Sequence, residues 1–165
     1  MFYDWLTIFQ DHDKRLPYLS DRAEIIIDVE TGEPLTERQP AFKHEGSFST
    51  SISIRISGGR VTVKGNPSRI NRIDNLFGYQ CIDDCVAVYN QILLGLGLPP
   101  FTKCTKTWFL SGKDGKKALQ VSNGATVQEL HITTNKSVGE GNVADYLRGL
   151  STQRYRNSIP RLHSN

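Results

Sequence analysis

The feature that most constrains this chain is the alternation between residues 48 and 63. Phe48, Ile52, Ile54 and Ile56 are set off by polar residues, and Val61 and Val63 resume the pattern after Ser57-Gly58-Gly59-Arg60. A period of two places these apolar side chains on one face of a pleated strand, an arrangement no helix provides. The glycines accept the positive φ of a tight turn. The stretch reads as a long β-hairpin, and the chain is thereby committed to antiparallel sheet.

The other segments fill in around it. Phe2–Gln10 carries Trp5, Leu6, Ile8 and Phe9 and reads as a strand. Residues 24–29 read as another, ended by the turn-like Glu30-Thr31-Gly32-Glu33-Pro34. Asp83 or Asp84 is positioned to cap a helix reaching about Gly95, with Val86, Tyr89, Ile92, Leu93 and Leu96 at helical spacing. Gly95, Gly97, Pro99 and Pro100 stop it. Lys106–Leu110 and Ala118–Val121 form a hairpin around Ser111–Gly115, expected to pair with the strand at Glu129–His131. A last helix is expected from about Val143 to Leu150. Strands with inserted helices place the chain in the α+β class: a mainly antiparallel sheet with two or three helices packed on it.

At 165 residues one domain, 1–165, is expected, with 151–165 a basic tail truncated from a longer protein. Apolar content of 38% against 22% charged residues favours a folded globular chain over a disordered one. No apolar run approaches the roughly 18 residues a membrane span needs, and the start is not a signal peptide, so a cytoplasmic protein is expected. Cys81, Cys85 and Cys104 make an odd count without zinc-knuckle spacing, and are read as buried thiols.

Charge is segregated. Residues 1–47 hold ten acids and five bases, a net of −5; residues 48–165 hold fifteen bases and seven acids, a net of +8. Such asymmetry points to an acidic partner, with nucleic acid first, although two ordinary solvated faces would produce the same count. The chemistry concentrates in residues 126–136, Thr-Val-Gln-Glu-Leu-His-Ile-Thr-Thr-Asn-Lys. On a strand, Glu129 and His131 point to the same face and can share one divalent cation. Thr133, Thr134, Asn135 and Lys136 follow with groups suited to phosphate.

An ordered set of segments resembles the gene II/gene X replication proteins of filamentous phages. They are Val61-Thr-Val-Lys-Gly-Asn-Pro-Ser-Arg-Ile70, Asp74-Asn-Leu-Phe-Gly78, the apolar helix with Leu98-Pro-Pro-Phe101, and Glu129-Leu-His-Ile-Thr-Thr-Asn135. The resemblance spans the chain as the N-terminal portion of a longer protein. It implies an HUH/ferredoxin-like nuclease core and a rolling-circle initiator. In such enzymes a tyrosine attacks one strand at the origin, leaving a 5′-phosphotyrosyl link and a 3′-hydroxyl. A divalent ion, Mg²⁺ or Mn²⁺, held on a central strand offsets charge on the phosphate.

Carried onto this chain, Glu129 and His131 take the positions of the two histidines, with glutamate replacing the first. His44 is the candidate third ligand, with Glu45 beside it; the plainer reading of His44 is a turn histidine. DNA contacts are expected from Lys64, Asn66, Arg69 and Arg72, with Ser68 adding a neutral phosphate contact, and from Lys136, Arg154, Arg156 and Arg161. The partners implied are origin DNA, single-stranded or nicked, and the host replication helicase and polymerase, with no membrane. The nucleophile is expected on a helix beyond this segment. Tyr146 and Tyr155 are the tyrosines after the metal strand, Tyr146 reading as core and Tyr155 as a DNA-facing or disordered residue, and neither is assigned. If the chain is complete, it should bind DNA without cleaving it, as a non-catalytic regulator of replication. A structural phage protein is the remaining alternative.

Overall fold

Along the chain the computed structural model runs β1 (Phe2–Asp11), β2 (Glu24–Ile27), β3 (Pro34–Arg38), β4 (Phe42–Glu45), β5 (Ser51–Ser57), β6 (Arg60–Gly65), α1 (Ile82–Gly95), β7 (Thr107–Leu110), β8 (Leu119–Ser122), β9 (Thr126–Thr133) and α2 (Val143–Ser151). It describes residues 1–46, 50–111 and 119–154; Phe48 and residues 112–118 lie outside these. The chain divides into two compact units, Met1–Thr134 and Asn135–Asn165.

In the first unit the alternating hairpin forms as β5 and β6, within a five-stranded sheet of order β4-β5-β6-β1-β9. Every neighbouring pair is antiparallel. The fold is α+β, as the segment pattern implies. Ile52, Ile54 and Ile56 of β5, Val61 and Val63 of β6, and Leu6 and Ile8 of β1 share one face and are buried. Their core cluster includes Cys85, Tyr89 and Leu93 of α1, three residues spaced along one helical stripe. Tyr89 is fully buried, and its hydroxyl lies 2.8 Å from the Leu6 carbonyl and 3.0 Å from that of Gly65. It thus ties the helix to the backbones of β1 and β6 where they pair. Burial in this apolar layer pushes the Tyr89 hydroxyl well above its ordinary pKa.

The start of α1 differs from expectation. Cys81 occupies the N-cap position without a side-chain hydrogen bond, and Asp83 and Asp84 sit in the first turn. There they complement the helix dipole rather than cap the chain. At the other end Gly97, at φ +70°, turns the backbone so that Leu98 returns to the core.

The hairpin at 107–122 does not pair with β9. Strands β7 and β8 form a two-stranded sheet of their own, and β9 pairs with β1. Side-chain bonds route the chain that way: Gln10 holds Thr102 through its carbonyl (2.8 Å) and amide (3.0 Å), and Ala125 N–H bonds the Thr102 carbonyl (2.8 Å). Strand β9 therefore starts beside β1. Strands β3 and β4, absent from the sequence reading, pair with β2 and β5. Of the cysteines only Cys85 is buried; Cys81 is exposed and Cys104 half-buried. In the second unit, α2 carries an Arg148–Asp145 ion pair at 3.1 Å.

Candidate functional site

Because α1 takes one face of the sheet, the alternate residues of each strand face away from the core. Strand register assembles them into rows. Lys43, Ser53, Lys64, Thr7 and Glu129 lie side by side from β4 to β9. Beside that row run Arg55, Thr62, Phe9 and Thr126, and Trp5 pairs with His131. The register between β1 and β9 slips between Thr7 and Ile8, leaving Gln128 as an extra residue on β9, and again between Tyr3 and Trp5 at Asp4. Bulges re-aim side chains; here Gln128 and Glu129 both line a depression of about 520 Å³ with Thr7, Ser53, Arg55, Thr62 and Lys64.

Glu129 is anchored through one oxygen. Its Oε2 accepts from the Thr7 hydroxyl at 3.0 Å and from Trp5 Nε1 at 3.3 Å. Its Oε1 lies 3.1 Å from His131 Nε2, and the Trp5 and His131 rings stack with centroids 6.2 Å apart. The Thr7 hydroxyl above all, then His131 and Trp5, hold the Glu129 carboxyl below its usual pKa, so it is ionised at neutral pH. Both side chains reach solvent, at 50% exposure for Glu129 and 58% for His131. Lys43, Arg55 and Lys64 form no ion pair with any described residue, which leaves a cationic strip beside this anionic corner.

An oxygen and a nitrogen donor side by side suit a divalent ion. No group of three acidic, histidine or cysteine residues converges among the described residues. Strand β9 is the outer strand of the sheet rather than a central one.

The other expected residues are distributed differently. His44 is not brought to Glu129 and His131: it pairs with Ile52 on the core-side face, and β4 and β9 are opposite edges of the sheet. Four strand spacings make that separation roughly 19 Å. Glu45 lies at the same far edge. Asn66 is engaged within its own turn, its Oδ1 accepting from Arg69 N–H (3.1 Å) and its Nδ2 donating to Asn75 (3.1 Å). Ser68 is 1% exposed and both of its hydrogen bonds are internal, so it is not a phosphate contact. Arg72 pairs with Asp74 at 3.4 Å, and Arg69 is half-buried.

In the second unit Lys136 and Arg154 are exposed. Tyr146 is 44% exposed on α2 rather than core. Tyr155, Arg156 and Arg161 lie outside the described residues. The sequence reading missed Trp5, Thr7, Lys43 and Arg55. The signal for the last three was the same alternation that marked the core: the residues between Leu6 and Ile8, beside Ile54, or beside Phe42 must point outward.

The chain is 54% identical over 114 residues to the replication-associated protein of Escherichia phage If1, an alignment covering 69% of this chain and 35% of that protein. The chain belongs to the filamentous phage gene II protein family. It spans about a third of the length of this gene II relative. No family model matches the chain, and no solved structure does. None of the helices, among the described residues, is long and apolar enough to cross a membrane.

Proposed function

We propose that this chain is the DNA-handling part of a phage replication initiator that nicks one strand at the origin to start rolling-circle synthesis. The observation that supports it best is the row Lys43, Ser53, Lys64, Thr7, Glu129, ending beside His131, on the face of the sheet opposite the core. A strand laid along that row would meet cations first and the carboxylate–imidazole pair at its end. Glu129 and His131 would hold Mg²⁺ or Mn²⁺, which supplies positive charge to phosphate oxygens as they gain negative charge. Thr7 and Trp5 keep the Glu129 carboxylate oriented, and Lys43, Arg55 and Lys64 bind the phosphates that lead up to it. In this reading the protein acts in the host cytoplasm, and the new 3′ end passes to host helicase and polymerase.

A second reading, a non-catalytic DNA-binding regulator, draws on Tyr89 and Tyr3, two of the four tyrosines of the first unit; the other two, Tyr18 and Tyr79, are 55% and 37% exposed. Tyr89 is buried on the opposite face, and Tyr3 pairs with Ile132 and packs against the core. Neither is placed to attack a phosphate held at Glu129.

One experiment addresses both metal and DNA. With Trp108→Phe, Trp5 is the remaining tryptophan, and Mn²⁺ at Glu129 and His131 should quench it. Glu129→Gln should abolish the quenching. Labelled single-stranded origin DNA should bind with a steep salt dependence, and neutralising Lys43, Arg55 and Lys64 together should reduce the slope by about 2. No quenching by Mn²⁺ would remove the metal site; a salt slope near zero would remove the DNA face. A covalent adduct with the labelled strand, lost in Tyr146→Phe or Tyr155→Phe, would set the regulator reading aside.

A further inference from the structure

The loop that follows β6 is tightly held yet presents apolar side chains to water. Asn66 bonds Arg69 N–H and Asn75, and Asp74 Oδ1 accepts from Leu76 N–H at 3.2 Å. At its far end Tyr3 N–H bonds the Tyr79 carbonyl at 2.9 Å. Ser68 Oγ donates to the Tyr3 carbonyl at 2.6 Å and accepts from Tyr79 N–H at 2.9 Å. Gly78 packs so closely that a Cβ there would stand 2.4 Å from Phe2 Cδ2 and 2.6 Å from Ser68 Oγ. With the backbone fixed by these contacts, Ile73 and Phe77 are still 72% and 71% exposed, and the Tyr79 side chain is partly so. Their bulk is not used to hold the loop in place.

Position supplies a use. Tyr79 bonds Tyr3, which lies two residues before Trp5 on β1, and Trp5 pairs with His131. The loop therefore borders the end of the sheet that carries the Glu129–His131 corner. Lys64, which immediately precedes the loop, stands on the outward face of the sheet in the same row as Lys43. Cations that track a backbone, leading to an exposed aromatic ring, are the combination that holds single strands, because every base offers a π-face. We infer that Phe77 stacks on unpaired bases of the strand held on the outward face of the sheet. The inference rests on that face taking DNA. It adds a preference for single-stranded over duplex DNA at this end of the sheet, which phosphate contacts alone do not give.

The test uses the full chain, a short single-stranded oligonucleotide carrying 2-aminopurine, and the same sequence as duplex. Phe77→Ala should weaken single-strand binding about 5- to 150-fold while duplex binding stays within about twofold. The salt slope should be unchanged, since no charge is removed, and Phe77→Tyr should restore binding. Because Phe77 is exposed, the variant should melt with the parent, which separates loss of binding from loss of fold. Unchanged single-strand affinity in Phe77→Ala, with salt-dependent binding intact, overturns the loop assignment and leaves the outward face standing. An equal loss for single strand and duplex also overturns it. So does a variant that binds DNA normally but sediments at lower mass, since the loop would then be a protein contact. If the parent binds neither DNA form, loop and outward face fall together.

Discussion

Ser68→Ala separates two accounts of the Asn66-Pro67-Ser68 turn. Read as sequence, the serine is a neutral phosphate contact; in the structure its hydroxyl is 1% exposed and joins Tyr3 to Tyr79 at 2.6 and 2.9 Å. Removing it leaves the Tyr79 N–H without its acceptor and deprives the Tyr3 carbonyl of a donor, in a part-buried turn. An orphaned buried group costs about 1–3 kcal/mol. For a chain of this size that is a fall in Tm of about 2–12 °C. Differential scanning calorimetry at fixed pH and salt gives the number directly. DNA affinity at a temperature well below the transition should fall only as far as the loop loosens, with an unchanged salt slope. A variant melting within about 1 °C of the parent while losing DNA affinity would refute the reasoning and restore the phosphate contact.

Two further outcomes follow from the titratable groups. Arg60 bonds both carboxylate oxygens of Asp11, at 2.6 and 2.7 Å, and these bonds hold the Asp11 carboxyl below its ordinary value of 3.8. A lowered folded-state pKa contributes stability that is complete above the ordinary value and is lost as pH falls through the folded one. Arg60→Gln should therefore flatten the Tm-against-pH curve below about pH 4, by no more than about 1 kcal/mol because both groups are half exposed; an unaltered acid limb would count against the pair. Burial pushes the Cys85 thiol up to about 11, while Cys81 is exposed. A thiol reagent at neutral pH should modify Cys81 in the folded protein and reach Cys85 only on unfolding, so rapid native labelling of Cys85 would contradict the packing of α1.

What the sequence made legible is what local periodicity encodes. The hairpin β5–β6, the strand β9 and the stripe on α1 each repeat a short pattern, and each forms where that pattern lies. Pairing between distant strands has no such record. Nothing near Glu129 in sequence announces Thr7 or Trp5, more than 120 positions away, because their meeting depends on β1 entering the sheet between β6 and β9. The same gap misled the reading of His44: one residue's shift along β4 decides which face it joins, and strand order decides which edge. Short strands such as β4, four residues long, offer too few alternations to be told from loop.

The residue at position 7 sharpens the difference between an incidental ion pair and a site. Thr7 lies between Leu6 and Ile8 and is itself 6% exposed, a position where valine would fill the same space without a polar group to satisfy. Its hydroxyl is satisfied by Glu129, and Trp5 directs its indole N–H to the same oxygen. Two donors from one strand thus fix Oε2, while Oε1 is left facing His131. A solvent-exposed carboxylate–imidazole pair is by itself worth about 0–1 kcal/mol, which gives little reason to orient it so fully. Orientation matters much more when a third party must find one oxygen and one nitrogen in fixed register, as a cation bridging to phosphate would. Thr7→Val should then weaken Mn²⁺ quenching of Trp5 while leaving the Tm nearly unchanged, whereas a purely structural bond would show the reverse.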